Sequence, residues 1–388
     1  MAATLQTSVI QASGSTTPNL TLDTAGNATV GNTLVMGSSF KRNRIINGNM
    51  AVDQRNAGAS VTANNAIFPV DRFAFACSQT GKGTGQQNAG SVTPPTGFSN
   101  YLGFTSSSAY SVLTGDYFII QQSIEGFNFS DLGFGSSSAK SVTLSFYVYS
   151  SITGTHSGAM KNYASSRSYP FTFTVSAANT WTYVTITIPG DTGGTWVGAS
   201  NAGAALICFN FGTGSTYSGT AGAWASANYV AATGAVSIVG TNGATFYITG
   251  VQLEQGSVAT PYERQIYSDQ LAQCQRYLPF ITTVASTTSD VGLGSINASN
   301  GGVASYYFKV TPRVPPTGIT VTNVGSFSYT SPTVNATVSA LSFSNGGLDC
   351  ARMNVTGSTS SYTVANSAIL YANGSATVGT IAFTGCEL

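Results

Sequence analysis

Residues 251–278, VQLEQGSVATPYERQIYSDQLAQCQRYL, contain a change of period that limits what the chain around them can be. Up to Leu253 the residues alternate as in a strand, with Tyr247, Val251 and Leu253 predicted on one face and Phe246 and Ile248 on the other. Gly250 interrupts that run and marks a bulge. Beyond Pro261 the spacing becomes helical: Tyr267, Leu271, Cys274 and Leu278 fall in one seam, with Ser268 as N-cap, Asp269 at the positive end of the dipole and Pro279 as the stop. A helix of about three turns is marginal alone in water, so the seam must be buried. It lies either on its own domain or against copies of itself around a three-fold axis.

The rest of the chain is poor in charge. Charged residues make up 7 % of 388, against about 25 % in an ordinary globular protein. Lys and Arg number 14 and Asp and Glu 13, a net charge of +1, which gives no electrostatic hold on nucleic acid or an acidic membrane. Disorder is not the expectation either, because aromatic residues reach 11 % and apolar residues 42 %. Five well-separated cysteines without a CxxC pair make neither a disulfide framework nor a zinc site, and they fit folding in a reducing cytoplasm. The opening MAATLQTSVIQ lacks the features of a secretion signal, and no apolar run is long enough for a membrane span, so a soluble protein without membrane insertion is expected.

Strand-length runs with clear faces fill the body. Val142, Leu144, Phe146 and Val148 form one, Phe171, Phe173 and Val175 another, and Val184, Ile186 and Ile188 a third. Ala205–Phe211 is apolar enough for a central strand. Gly/Ser/Asn turns separate these runs, which predicts a β-sandwich. Before residue 41, short runs (Leu20 and Leu22, Ala28 and Val30, Leu34 and Met36) are too small for a core and suit a thin shaft or attachment segment. After Pro279 a second β-rich unit follows, with strands at Ser305–Val310, Ile319–Val321, Phe327, Val338–Phe343, Ser367–Tyr371 and Val378–Phe383, ending in a compact tip. The segments are 1–40, 41–264, 265–279 and 280–388.

The same stretch resembles the closing segment of a module found in bacteriophage virion proteins, especially tail fibres and receptor-binding tips: VQLE, a small-residue run, ATPYE and a helix ending CQRY. The module's opening is matched by NRIINGNMAVDQR at 43–55 and DRFAF at 71–75. The resemblance implies an all-β, intertwined homotrimer: a thin N-terminal shaft segment, a jelly roll of carbohydrate-binding appearance, a short coiled-coil-like helix and a C-terminal β-sandwich as the host-facing tip. It implies residence in the virion tail after assembly in the host cytoplasm, with tail or baseplate proteins as partners of the N-terminal segment and a host surface glycan as the ligand. Tyr267, Leu271, Cys274 and Leu278 are then the candidate trimer seam.

Charges cluster at the two ends of the module: Arg42, Arg44, Arg55, Asp71 and Arg72 at the opening, Glu254, Glu263 and Arg264 at the close. First and last strands of a jelly roll commonly lie together, so opposite charges are expected to meet there. Candidate glycan contacts are the loop aromatics Trp196, Tyr217 and Trp224 and, in the tip, Tyr329, Tyr362 and Tyr371, since exposed rings stack on sugars; packing inside the protein is the competing role. No nucleophile motif accompanies the single histidine, His156, and no phosphate loop is present. Glycoside cleavage needs only two carboxylates, for which Glu125 with Asp131 or Asp191 could be proposed. The reading is therefore non-catalytic adhesion, with a structural virion protein as the alternative and a depolymerase behind it. No cofactor or metal is predicted; a structural calcium held by backbone and Asn oxygens stays open.

Overall fold

The structure is a computed structural model that describes residues 41–388 and, ahead of them, the backbone of three short strands, β1 (Val9–Ile10), β2 (Leu20–Leu22) and β3 (Ala28–Val30). These pair antiparallel in chain order, Ile10 opposite Leu20 and Leu20 opposite Val30. The Leu34 and Met36 run and the shaft role lie outside the described residues. Residues 43–388 form a separate compact unit.

That unit begins with a β-sandwich. Its strands are β4 (Val61–Thr62), β5 (Ala74–Cys77), β6 (Gly83–Gln87), β7 (Leu102–Ser106), β8 (Tyr117–Glu125), β9 (Val142–Ser150), β10 (Gly154–Asn162), β11 (Ser168–Val175), β12 (Thr182–Ile188) and β13 (Gly203–Thr213), then the two-residue pair β14 (Ser218–Gly219) and β15 (Ala231–Ala232), and β16 (Thr245–Gln255). One sheet has the order β11-β10-β13-β8-β5, the other β12-β9-β16-β7-β6-β4. The alternating faces are as expected from the sequence: Val142, Leu144, Phe146 and Val148 enter the core with Phe171, Phe173 and Val175. Aromatic pairs join the sheets across that core. Phe104 stacks on Phe211 at 4.0 Å between centroids, and Phe146 meets Phe209 edge to face at 5.0 Å. Such pairs contribute about 0.5–1.5 kcal/mol beyond burial.

Strand β16 corrects one expectation. The bulge falls at Gly250, whose φ is +63°, and the register against β9 shifts between Thr249 and Gln252. The extra residue reverses the inward phase, so Phe246 and Ile248 enter the core before the bulge and Val251 and Leu253 after it. Tyr247 therefore does not share a face with Val251 and Leu253; it packs outward against Tyr101 and Tyr149.

The two end motifs pair with each other. Arg44 N–H donates to Leu253 O at 2.8 Å, Leu253 N–H to Asn43 Oδ1 at 3.0 Å, and Asn43 Nδ2 to Val251 O at 3.1 Å. Asn47, at φ +58°, holds the opening turn by donating to Val52 O and Asp71 O.

Helix α1 (Tyr267–Gln275) follows. Its N-cap is Ile266 without a side-chain cap, so Ser268 lies inside the helix rather than capping it, and the helix ends before Pro279 is reached. Next come β17 (Phe280–Thr282), β18 (Thr288–Ala298), β19 (Gly301–Tyr307), β20 (Gly318–Thr322), β21 (Phe327–Thr330), β22 (Asn335–Gly346), β23 (Cys350–Gly357), β24 (Ser367–Asn373) and β25 (Thr380–Thr384). Six of them close a barrel, β18-β19-β23-β22-β21-β24, and β17-β25-β20 form a separate sheet. The expected C-terminal sandwich is thus a barrel with a small sheet beside it. Strands β18 and β23, which the sequence reading did not mark, are the ones that pair with β19 on either side.

The chain's last residues do not project as a tip. Glu387 lies against the sandwich, paired with Arg55 at 2.8 Å and Arg72 at 2.5 Å, and Arg313 donates to the carbonyls of Cys386, Glu387 and Asn201. Glu125 at the end of β8 accepts from Arg276 and from the Tyr277 hydroxyl at 2.6 Å, while the Arg72 guanidinium sits 3.5 Å over the Tyr277 ring.

Candidate functional site

The outer face of the five-stranded sheet carries a groove of about 390 Å³. Strand alternation places its floor. On β8 the odd residues Tyr117, Ile119, Gln121 and Ser123 line it while Phe118, Ile120 and Ile124 enter the core. Cross-strand register completes two rows: Lys161 of β10 stands beside Leu206 of β13 and Leu206 beside Ser123, while Ala159, Cys208 and Gln121 form the next. Three rings border the floor. Tyr117 meets Tyr217 edge to face at 5.1 Å, and Tyr163, 43 % exposed, follows the end of β10. Asn228 and Val230 descend from the loop after β14, held by Val230 N–H to Tyr217 O at 2.8 Å, and Leu388 reaches the same wall.

The polar groups here are mostly neutral. Lys161, only 7 % exposed, donates to Asn228 Oδ1 at 2.7 Å and Ser165 Oγ at 3.0 Å. Gln121 Oε1 accepts from the Cys208 thiol at 3.7 Å. Burial pushes that thiol up to about 11 against the opposing charge of Lys161, so it stays protonated. Among the described residues, the hydroxyls of Tyr117, Tyr163 and Tyr217 have no protein partner, nor do the amide nitrogens of Gln121 and Asn228. Rings beside unpaired hydroxyls and amides suit a ligand that is apolar on one face and rich in hydroxyls at its edges.

Of the loop aromatics singled out in the sequence, only Tyr217 belongs to this groove. Trp196 and Trp224 meet at 5.6 Å in a cluster with Phe129, Phe134 and Tyr169 that packs on the core. Their indole N–H groups are spent on Asp191 Oδ2 and Pro189 O. They anchor loops. In the barrel, Tyr329 and Tyr362 are buried, with hydroxyls donated to Ser295 O, Val303 O and Tyr329 O, so neither can touch a ligand; half-buried Tyr371 bonds Asn335.

The predicted helix seam divides in two. Cys274 and Leu278 are buried within the chain, Leu271 is half-buried, and Tyr267 is 59 % exposed. The charge clusters divide as well. Arg44 pairs with Asp131 at 2.7 Å, and Arg55 with Asp71 at 3.4 Å. Glu263 accepts from the Asn43 amide, Glu254 from Thr260, and exposed Arg264 lies 5.1 Å from the Phe98 ring. Arg42 is half-buried in the first unit. Arg55 and Arg72 share the carboxylate of Glu387, a residue absent from the predicted cluster.

The carboxylates considered for hydrolysis are committed elsewhere. Burial opposes ionisation of Asp191, but Arg167 at 2.5 and 2.8 Å, the Gly193 amide and the Trp196 indole together hold it below the usual carboxylate range. Glu125 is likewise lowered, with Arg276 and Tyr277 outweighing burial. A general acid needs a proton that neither retains at neutral pH. His156 is buried on Phe173, its Nε2 at 2.9 Å from Ile152 O, and burial lowers its pKa. Among the described residues no three His, Cys, Asp or Glu side chains gather to hold a metal, and no helix is long and apolar enough to cross a membrane.

No protein family matches the chain, and no curated protein does. Solved structures with partial similarity include the enzymatically active domain of tailspike protein 4 of bacteriophage CBA120, 13 % identical over 55 % of this chain, TM-score 0.31; the match spans 22 % of that chain. A sugar-binding protein assigned in Bacteroides thetaiotaomicron is 12 % identical, covering 55 % of this chain and all of that one, TM-score 0.29. A family 11 carbohydrate-binding module from Clostridium thermocellum, in complex with a mixed-linked tetrasaccharide, is 13 % identical over 53 % of this chain and all of its own, TM-score 0.25. These overlaps are shallow, and the groove has to be understood from its own residues.

Proposed function

We propose that the protein is a non-catalytic adhesion chain of a bacteriophage tail fibre that holds a host surface glycan in the groove bounded by Tyr117, Tyr163 and Tyr217. The observation that carries this reading is the groove itself: three rings, with hydroxyls and amides that have no protein partner, on an open sheet face. Sugar recognition needs that combination, because the ring carbons stack while water must be replaced at every hydroxyl. The opening and closing motifs that resemble phage virion proteins support the setting, and the commitment of Glu125, Asp131 and Asp191 to ion pairs supports binding without cleavage. Weak monovalent binding is offset by presenting several copies, for which Ile266 and Tyr267, exposed at the start of the helix, offer the interchain surface of a homotrimer. The N-terminal segment joins the tail.

The test is binding of labelled protein to host cells and to immobilised surface polysaccharide, beside Tyr217→Ala and Gln121→Ala. Both variants are expected to lose at least tenfold in affinity at unchanged melting temperature, about 1.4 kcal/mol or more. Light scattering on Ile266→Ser/Tyr267→Ser is expected to show one third of the parent mass. Binding that neither groove variant weakens rejects the site, and release of reducing ends from the polysaccharide rejects the non-catalytic reading.

A further inference from the structure

Lys161 is buried and makes no ion pair among the described residues. Its ammonium is held by two neutral oxygens, Ser165 Oγ and Asn228 Oδ1, and among the described residues no carboxylate lies within 4.0 Å of it. The groove lining includes no acidic side chain, the carboxylate of Leu388 at its wall makes no ion pair with Lys161, and the neighbouring Cys208 remains a thiol. Taking an ammonium out of water without a partner is costly, and proteins tolerate it where a ligand supplies the opposite charge. An ammonium has three donors, and the two neutral acceptors leave one for a ligand. The surrounding chemistry also orients the charge: Lys161 shares a cross-strand row with Leu206 and Ser123, so an anion on it places the attached ring over the apolar floor toward Tyr117 and Tyr217.

We infer that the groove selects an anionic saccharide, whose carboxylate or phosphate pairs with Lys161 while its ring lies on the tyrosine-bordered floor. This rests on the glycan reading of the groove and adds to it the ligand's charge. Sugar carboxylates and sugar phosphates present the same oxygens to an ammonium, so both are included in the test.

The experiment uses the full chain on an array of carboxylated and phosphorylated saccharides, each spotted beside its carboxyl-reduced or dephosphorylated form. The expected result is at least tenfold stronger retention of the anionic member of a pair, weakening as ionic strength rises; which treatment abolishes it identifies carboxylate or phosphate. Lys161→Met is expected to bring the two members within about twofold of each other, and Lys161→Arg to keep the preference, about 1.4 kcal/mol for a tenfold ratio. Equal retention of charged and neutral members, lost in Tyr217→Ala, overturns the inference and leaves the glycan reading standing. The same holds if Lys161→Met keeps the preference. Retention of no saccharide, or of saccharides that Tyr217→Ala holds as well as the parent, ends both. If Lys161→Met fails to fold, the ionic-strength series on the unaltered protein decides: salt-independent binding overturns the inference.

Discussion

The amide of Val251 donates to the carbonyl of Gly48 at 2.9 Å, and a Cβ on Gly48 would stand 2.1 Å from the Val251 oxygen. The opening turn can lie against β16 only because residue 48 has no side chain. Gly48→Ala is expected to separate the end motifs at a cost of about 1–3 kcal/mol, the range of overpacking in a closed site. Urea unfolding measures it, and a midpoint equal to the parent's would show that the turn moves aside freely.

Two carboxylates near the junction of sandwich and barrel give the stability an optimum in pH. Burial raises Asp71 to about 6, against the pull of Arg55. Folding therefore takes up a proton there, and stability grows as pH falls through about 6 toward the unfolded value near 3.8. Asp53, also raised by burial, acts in the same sense. Glu125 is lowered, so its contribution is complete above 4.5 and lost as pH falls through its folded value. The melting temperature is expected to be highest between about pH 4.5 and 6. Asp71→Asn is expected to flatten the rise between pH 7 and 5; a profile unchanged by that substitution would assign the rise to other groups.

Removing the charge of Glu125 tests the junction directly. Glu125→Gln removes the countercharge of Arg276 and one of the two oxygens that Arg276 and the Tyr277 hydroxyl share, at a cost of about 2 kcal/mol, below the range for a fully buried pair because Arg276 is 31 % exposed. Proteolysis near residues 276–282 is expected to accelerate first, and unchanged cleavage would show that the Arg313 bonds and the Glu387 ion pairs are enough to keep sandwich and barrel docked.

Alternation was legible where it runs unbroken, as in β9 and β11, because period two follows from backbone geometry alone. It failed at β16, where one inserted residue at Gly250 exchanges inward and outward positions, and sequence spacing does not show on which side of a bulge the phase changes. The groove was only partly legible. Tyr217 stood out as a loop aromatic, whereas Lys161 and Gln121 share a site only through the pairing of β10, β13 and β8. A signal was present in Tyr117, Ile119, Gln121 and Ser123, an outward-facing set that alternates with the core residues Phe118, Ile120 and Ile124, and in Lys161, the one charged residue of β10. Trp196 and Trp224 misled because glycine-rich loops look exposed in a sequence even when their rings fold back onto a core.

Trp196→Ala separates those roles. It removes the centre of the Phe129, Phe134 and Trp224 cluster and is expected to cost about 3 kcal/mol of stability, with affinity for glycan unchanged in the folded fraction. Calorimetry beside binding measures both, and lost affinity at full stability would return Trp196 to the ligand site.

Tyr329→Phe removes a hydroxyl that donates to Val303 O at 2.9 Å and Ser295 O at 3.1 Å inside the barrel. The expected loss is about 1–2 kcal/mol, read from barrel unfolding, because the carbonyls stay buried with one donor fewer. No change would place water at the vacated position.

Arg276 and Arg313, which reach back to the sandwich from beyond β16, end on Glu125, at the close of β8, and on Asn201, just before β13. These strands are neighbours at the centre of one sheet, and both attachments sit at the same end of their shared ladder, where Gly203 faces Glu125. A tug on the barrel thus arrives at two adjacent central strands at once. They are drawn together as a pair, and the strain passes sideways to β5 and β10 through whole ladders instead of peeling an edge strand rung by rung.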